Sequence, residues 1–210
     1  MKNALRTLLL LGPLAVGSIA PAQSDLLSQV IGTHKLSPIE AAAAIVIGDA
    51  LGINVESLVQ TQRTTNTSFG TLGPAMVISR NTGQSLDYVL QNKPKGEGWG
   101  NVAKRLGMHP GAFNQMRAKG GTFENQVWMN MLHSKYQFPE SEYSRVKRQG
   151  LTDLETVLAV VRSEGRRDSL NRAVKDIVDG KPRASAQKRD MGKAGTSAGV
   201  GKGRGRGGSL

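Results

Sequence analysis

Short apolar-faced segments, each opened by a capping residue and closed by glycine, recur along this chain and limit what it can fold into. Ser37-Pro38-Ile39-Glu40 places serine at the N-cap, proline at the first helical position and glutamate at the third, which predicts a helix start. The following run, AAAAIVIGDAL, ends near Gly52, and Asn54 is placed to cap a second helix, VESLVQTQ. This pattern is typical of an all-α protein.

The same signals continue to residue 180. They predict further helices within residues 72–81, 85–91, 123–137, 139–149, 152–165 and 166–180, with a break at Lys93-Pro94-Lys95-Gly96. Only the Thr-rich stretch RTTNTSF, residues 63–69, resembles a strand. We therefore expect an all-α fold, a bundle of eight to ten short helices.

Two helix pairs within this pattern are similar in sequence, which suggests a weak internal duplication. Residues 70–96 align with residues 150–181 when extra residues are allowed in the second copy. The matched apolar positions are Val77 and Ile78 with Val160 and Val161, and Leu86, Val89 and Leu90 with Leu170, Ala173 and Val174. Any two amphipathic helix pairs align about as well, so both interpretations stay open.

The first 22 residues have the features of a secretory signal peptide. Lys2 and Arg6 precede an apolar run over residues 7–20, and Ala20-Pro21-Ala22 is a small-residue cleavage site. The apolar run is too short to span a bilayer stably. We expect cleavage to leave a mature chain that starts at Gln23 and is exported to the periplasm or outside the cell. Because it has no cysteine, that chain must be held by its core and not by disulfides.

The formal charge of +12 is concentrated in two segments. Without the signal peptide the charge is +10; residues 181–210 carry eight Lys or Arg against one acid, and residues 93–120 carry six against Glu97. Residues 181–210 are rich in Gly, Ser, Ala, Lys and Arg, which predicts a disordered basic tail. The predicted organisation is a signal peptide (1–22), two helical regions (23–121 and 122–180) and this tail (181–210).

Residues 98–119 have the pattern of a helix-turn-helix hairpin. The small Ala103 lies four positions before Gly107, which allows a left-handed turn, and the apolar Met108 follows. The other apolar positions that would lock the two helices together are Trp99, Val102, Leu106, Phe113 and Met116. The segment therefore resembles the helix-turn-helix family over about 20 of the 210 residues.

This resemblance implies a DNA-reading role for the second helix of the hairpin. Lys104 and Arg105 on the first helix would contact phosphate. The side chains that would face the major groove are Asn114, Gln115, Arg117 and Lys119. A packed helical hairpin with no DNA role needs the same apolar residues, so architecture alone is the alternative.

A second resemblance covers about residues 68–119. The chain carries G-x-G-W-G-x-[IV]-A-x-x-L-G-x-x-P-G from Gly96 to Gly111, after a Leu-rich helix and a Lys/Gly break. This motif is similar to one found in small exported bacterial helical proteins. The resemblance implies export and a helical fold, and it implies no particular activity. Together with the signal peptide, it favours an exported protein that keeps only the hairpin geometry.

The basic residues of the hairpin and the tail predict binding to an anionic polymer. Gly-flanked Arg and Lys suit phosphate groups without sequence choice, whether in DNA, in RNA or in the headgroups of envelope lipids. The expected contacts are Lys93, Lys95, Lys104, Arg105, Asn114, Gln115, Arg117 and Lys119 in the hairpin, and Lys188, Arg189, Lys202, Arg204 and Arg206 in the tail. A tail that only keeps the protein soluble is the alternative.

The sequence contains no recognisable catalytic motif. His34, His109 and His133 are isolated, with no carboxylate at metal-ligand spacing. GKGRGRGG lacks the spacing of a phosphate-binding loop, and no serine lies in a nucleophile elbow. We expect no metal, no cofactor and no small-molecule substrate, and therefore a protein that is not an enzyme.

These observations favour an exported, non-enzymatic protein of the bacterial envelope that binds an anionic polymer. One alternative is a cytoplasmic helix-turn-helix DNA-binding protein whose N-terminus only resembles a signal peptide. Another is a structural or assembly module whose helices pair with a protein partner.

Overall fold

The structure, a computed structural model, describes residues 23–109, 121–164 and 166–180. Over these residues the chain forms ten α-helices and no strand, which confirms the all-α prediction. The helices are α1 (Gln23–His34), α2 (Pro38–Leu51), α3 (Val55–Thr65), α4 (Phe69–Thr82), α5 (Leu86–Gln91), α6 (Trp99–Arg105), α7 (Phe123–Tyr136), α8 (Glu140–Lys147), α9 (Asp153–Ser163) and α10 (Arg167–Asp179). The predicted signal peptide and basic tail lie outside the described residues.

Helix α2 is the centre of the fold. The predicted capping box opens it: the Glu40 amide donates to the Ser37 hydroxyl at 3.3 Å, and the Ser37 amide donates to the Glu40 carboxylate at 2.9 Å. Gly52 closes it in a left-handed conformation at φ +65°. Residues 41–48 are all buried, because α1, α3, α4, α7 and α9 pack around the helix. A helix that is apolar on every face is stable only in such surroundings.

The two predicted helical regions share one hydrophobic core. Helix α2 of the first region packs on α7 and α9 of the second, and α4 also packs on α7. Phe69 on α4 and Trp128 on α7 are among the largest fully buried side chains. The boundary near residue 121 therefore does not divide the core.

Helices α4 and α7 approach each other closely at Gly73. A side-chain carbon placed there would lie 2.9 Å from Cζ2 of Trp128. Because Trp128 is only 1% exposed, its ring has little room to move away. Glycine at this position is therefore what allows the indole ring to reach the α4 backbone.

Three local predictions differ from the structure. The strand candidate at residues 63–69 is wrong, because α3 continues to Thr65 and α4 begins at Phe69. The helix predicted at 72–81 starts one turn earlier and contains Pro74, since the burial of Phe69 and Leu72 offsets the backbone hydrogen bond that proline cannot donate. Helix α1 was not predicted, because its sequence carries no capping box and no closing glycine to mark its ends.

No single described helix is both long and apolar enough to cross a bilayer. Residues 25–34 and 38–51 meet that test only when taken together, and the two segments are bent by 111° relative to each other.

The helix pairs α4–α5 and α9–α10 are organised alike. Three residues join the helices of each pair, and the first helix ends in a left-handed residue, Gly83 at φ +70° and Glu164 at φ +51°. The aligned positions 77–78 and 160–161 are buried in both pairs. The internal duplication stays a prediction, since two packed helix pairs share these features without a common origin.

Three helices meet at the carboxylate of Asp153, at the start of α9. Its Oδ1 atom accepts hydrogen bonds from Asn125 Nδ2 of α7 at 2.8 Å and from the Tyr143 hydroxyl of α8 at 2.7 Å, and Lys147 Nζ of α8 lies 2.8 Å away. Burial, assisted by the charge of Asp153, raises the pKa of the Tyr143 hydroxyl. These four residues are named the Asp153 junction.

Candidate anion-binding surface

Helix α6 carries the first half of the predicted helix-turn-helix and is built into the core. Trp99, Val102 and Ala103 are buried, and the helix packs against α4 and α7. The Trp99 amide, which has no acceptor within the helix, donates to the Glu124 carboxylate of α7 at 3.0 Å. A side-chain carbon at Gly100 would lie 3.4 Å from a side-chain carbon of α7. The buried positions of α6 thus match its predicted apolar face.

The turn after α6 contains the predicted left-handed glycine. Gly107 has φ +83°, and the Met108 amide donates to the Ala103 carbonyl at 2.9 Å. With the hydrogen bond from Gly107 to the Lys104 carbonyl at 3.1 Å, this is a Schellman helix end. Met108 is 3% exposed, as expected of the apolar residue in the turn.

The second helix of the predicted hairpin falls in a part of the chain that the structure does not describe. Residues 110–120 lie outside the described residues, and with them the predicted DNA contacts Asn114, Gln115, Arg117 and Lys119. The predicted tail contacts Lys188, Arg189, Lys202, Arg204 and Arg206 are outside as well. The candidate surface is therefore described at Lys93, Lys95, Lys104 and Arg105.

Arg105 is engaged within the protein. Its Nη1 atom lies 2.6 and 2.8 Å from the two carboxylate oxygens of Glu97, and its Nη2 atom donates to the Asn92 carbonyl at 2.6 Å. The hydrogen bond from Arg105 holds the pKa of Glu97 below its usual range, and the carboxylate raises the pKa of Arg105. This set, named the Glu97 clamp, ties the loop after α5 to the end of α6. It leaves Arg105 less available to a phosphate group than the sequence predicts.

Lys93 also has an internal contact, whereas Lys95 and Lys104 have none with another residue that the structure describes. Lys93 Nζ lies 5.2 Å from the centroid of the Trp99 ring, which is a cation–π geometry. Lys95 and Lys104 are exposed and have no hydrogen bond or ion pair within the part of the chain that the structure describes. An ammonium group on a flexible stem reaches a phosphate as a point charge. Of the four described basic residues of the candidate surface, these two lysines are thus the available cations.

The described body is close to electrically neutral. It contains 16 Lys and Arg and 15 Asp and Glu, a net charge of +1. The mature chain expected from the sequence carries +10, so the other +9 belongs to residues 110–120 and 181–210. The positive charge is therefore concentrated in those two segments and is not distributed over the described helices.

A cleft between α1, α2 and α3 brings together titratable residues that the sequence did not connect. Its volume is about 540 Å³, and His34, Asp49 and Glu56 line it with several apolar residues. His34 Nε2 lies 3.5 Å from Glu56 Oε2, and Asp49 Oδ2 lies 3.3 Å from Lys135 Nζ. His34 is therefore not isolated from carboxylates, a contact that sequence spacing could not reveal because α1 itself was not predicted. No group of three or more His, Asp or Glu within the described residues is arranged to hold a metal ion.

No protein-family model, curated protein or solved structure matches this chain. The class of protein is therefore defined by the fold and the described surface alone. It is an all-α protein with one shared core, a nearly neutral body and two available lysines beside a helix-turn segment.

Proposed function

We propose that this chain is an exported, non-enzymatic helical protein of the bacterial envelope that binds an anionic polymer, either nucleic acid or envelope glycolipid. The segment 93–119 and the tail 181–210 would make the contacts. The separation of charge carries the proposal: +1 on the described residues against +9 on residues 110–120 and 181–210. Charge spread evenly over the surface would be enough to keep the protein soluble, whereas charge concentrated in a few segments suits binding to a polyanion.

Lys95 and Lys104 are the contribution of the described body to this binding. Both are exposed, and neither has a hydrogen bond or ion pair with another described residue. Lys104 lies three residues before Gly107, where the chain leaves α6 towards residues 110–120. Lys93 and Arg105 are held against Trp99 and Glu97, so they shape the loop around these lysines. The body thus offers a small fixed contact, and the Gly-flanked cations of the tail would supply the larger share.

Such contacts bind phosphate without reading sequence. Each phosphate neutralised by a cation releases counterions, so the logarithm of the binding constant falls by about 0.7 to 0.9 per contact for each tenfold rise in salt. Strong salt dependence is therefore the signature of the proposed activity.

The test is a fluorescence anisotropy titration of the mature chain with single-stranded DNA and with lipopolysaccharide at rising salt. Deleting residues 181–210 should remove most of the salt dependence. Lys95→Ala with Lys104→Ala should reduce the slope by about 1.4 to 1.8, the loss of two contacts. The matched control is Arg172→Ala with Lys175→Ala, which removes two exposed cations of α10 and should leave the slope unchanged. Binding that ignores salt or the tail, or no binding to either ligand, contradicts the proposal.

Export is supported by residues 1–22 alone and has its own test. Cell fractionation followed by N-terminal sequencing should recover a mature protein that starts at Gln23 outside the cytoplasm. A full-length chain with Met1 in the cytosol would contradict export without affecting the binding experiment.

Sequence-specific DNA binding is the second candidate, and the geometry of the α6 turn is what favours it. The buried Ala103, the left-handed Gly107 and the buried Met108 are what the first half of a helix-turn-helix requires. If this candidate is correct, Gln115→Ala and Arg117→Ala should weaken binding to a selected duplex far more than deletion of the tail does. A mature start at Gln23 would remove it.

A role as an assembly module receives less support from the surface. Among the described residues, the exposed large apolar side chains are Tyr88 and Val178, at 46% and 37%. Two such residues are too few to form the broad apolar face expected of a stable helix–helix interface.

A further inference from the structure

A cavity of about 290 Å³ opens where α2, α4 and α7 converge. Apolar side chains form much of its lining, among them the buried Val77, Val127 and Met131. Its polar side chains include Arg80 and Asn130. This combination of an apolar wall and a few polar groups is typical of a small-molecule site.

Arg80 is the one charged residue among those that line this cavity in the described part of the chain. Its Nη1 atom donates to the Leu51 carbonyl at the end of α2 at 3.0 Å. Arg80 is exposed, and this hydrogen bond places one side of its guanidinium beside the cavity; its Nε and Nη2 atoms have no partner within the described residues. An arginine with two donors to spare is suited to a carboxylate, which it binds through paired hydrogen bonds.

Asn130 is the second polar group without a partner. Two other polar side chains of the lining are satisfied locally: Asn81 donates to the Val77 carbonyl and Ser134 to the Met131 carbonyl, each at 2.8 Å. Asn130 is half-buried, and its amide has no hydrogen bond within the described residues. A half-buried amide that lacks a partner is an open donor for a ligand.

We propose that this cavity binds a medium-chain aliphatic carboxylate. The carboxylate would accept hydrogen bonds from Arg80 and Asn130, and the alkyl chain would lie against Val77, Val127 and Met131. Met131 is unbranched and can adapt to chains of different length. The positive charge of Arg80 selects an anion, and the apolar wall selects an alkyl chain over a sugar or a nucleotide. This inference is independent of the proposed polymer binding, which uses other residues.

The probes are octanoate, acetate and octylamine, titrated against the mature chain with methyl-labelled valine and methionine. Octanoate should shift the NMR signals of Val77, Val127 and Met131. Acetate lacks the chain and octylamine carries the opposite charge, so each should bind at least about tenfold more weakly. Octanoate that shifts no signal, or shifts signals away from these three residues, overturns the proposal, as does equal binding of octylamine.

Arg80→Met removes the charge and should weaken octanoate binding about tenfold or more. Arg172→Met makes the same change at an exposed arginine of α10 and should leave the affinity unchanged. If Arg80→Met does not fold, Asn130→Asp decides the matter, because it keeps Arg80 and its bond to Leu51 while placing a negative charge beside the carboxylate. Unchanged affinity in either folded variant rejects the site.

Discussion

The side chains of Asp153 and Glu97 are 21% and 20% exposed, yet they connect very different parts of the protein. Asp153 accepts hydrogen bonds from Asn125, 28 residues away on α7, and from Tyr143 on α8. Glu97 reaches Arg105, eight residues away, and the Glu97 clamp stays within one loop and the helix that follows it. One carboxylate joins helices of the core, and the other holds a surface loop.

The difference shows that the exposed fraction of a carboxylate does not by itself determine how much the carboxylate contributes to stability. The donors to Asp153 include a phenol that is only 3% exposed and would be left without an acceptor if the carboxylate were removed. The donor to Glu97 is a guanidinium that is 44% exposed and can return to water. Removing Asp153 therefore leaves a buried donor without an acceptor, whereas removing Glu97 does not.

The largest effect is expected from Asp153→Ala. It removes the acceptor of Asn125 and Tyr143 and should lower the free energy of unfolding by about 2–3 kcal/mol. Urea denaturation at neutral pH measures this change. Asp179→Ala, at the exposed end of α10, is the matched loss of an aspartate and should have little effect. Equal effects of the two changes would reject the structural role of the Asp153 junction.

The second largest effect is expected from alkaline pH, which should weaken the Asp153 junction. The pKa of Tyr143 is raised in the folded protein, so the folded state keeps a proton that the unfolded chain loses above about pH 10. Stability is therefore fully present below that pH and falls above it, by up to about 1.4 kcal/mol per pH unit for each such tyrosine. Tyr136, whose pKa burial also raises, should add to the slope. Urea denaturation series at pH 9 to 11 would show the trend, and a flat profile would contradict it.

Tyr143→Phe isolates the hydroxyl contact of the Asp153 junction. It should lower the free energy of unfolding by about 1.5 kcal/mol at neutral pH, because one hydrogen bond to a charged acceptor is lost while the ring stays packed. It should also make the alkaline slope shallower. Tyr88→Phe, at a half-exposed ring, provides the comparison and should change neither quantity.

The smallest global effect is expected from Glu97→Gln, which weakens the Glu97 clamp. The urea midpoint should not move measurably, while amide hydrogen exchange in residues 92–99 should become faster. Because the pKa of Glu97 is lowered in the folded protein, the contribution of the clamp is present above about pH 4 and is lost as pH falls through the folded value. The amide exchange rates of residues 92–99 in wild type and variant should therefore become equal at acid pH. Asp87→Asn on α5 is the control, and a shift in the midpoint of Glu97→Gln would contradict the comparison.

Local signals predicted the helices that carry their own caps. Ser37 with Glu40 and Thr152 with Glu155 close capping boxes that are visible in the sequence, and Gly107 was identified as a turn glycine. These features depend on neighbours within a few positions. They also made the all-α class predictable, since no segment alternates convincingly between apolar and polar residues.

The features that depend on distant partners could not be predicted. Helix α1 has no capping pattern and is held by its packing on α2 and α9. The Asp153 junction exists only because α7, α8 and α9 meet there. At the candidate site, exposure of Lys95 and Lys104 follows from their polarity, whereas the engagement of Arg105 by Glu97 depends on the path of the loop between them. A count of charges treats Lys93, Lys95, Lys104 and Arg105 alike. The structure shows that Lys93 and Arg105 have internal contacts, whereas Lys95 and Lys104 have none with described residues.

The position of α2 at the centre has a consequence for the order in which the chain can fold. Its packing partner α9 lies about 100 positions later in the chain, so the part of the apolar surface of α2 that α9 covers stays exposed until nearly the whole body has been synthesised. Contacts between such distant segments form slowly, because a long loop must close before they contribute. A truncated product that ends before α7 would leave much of this apolar surface exposed, and we expect it to aggregate.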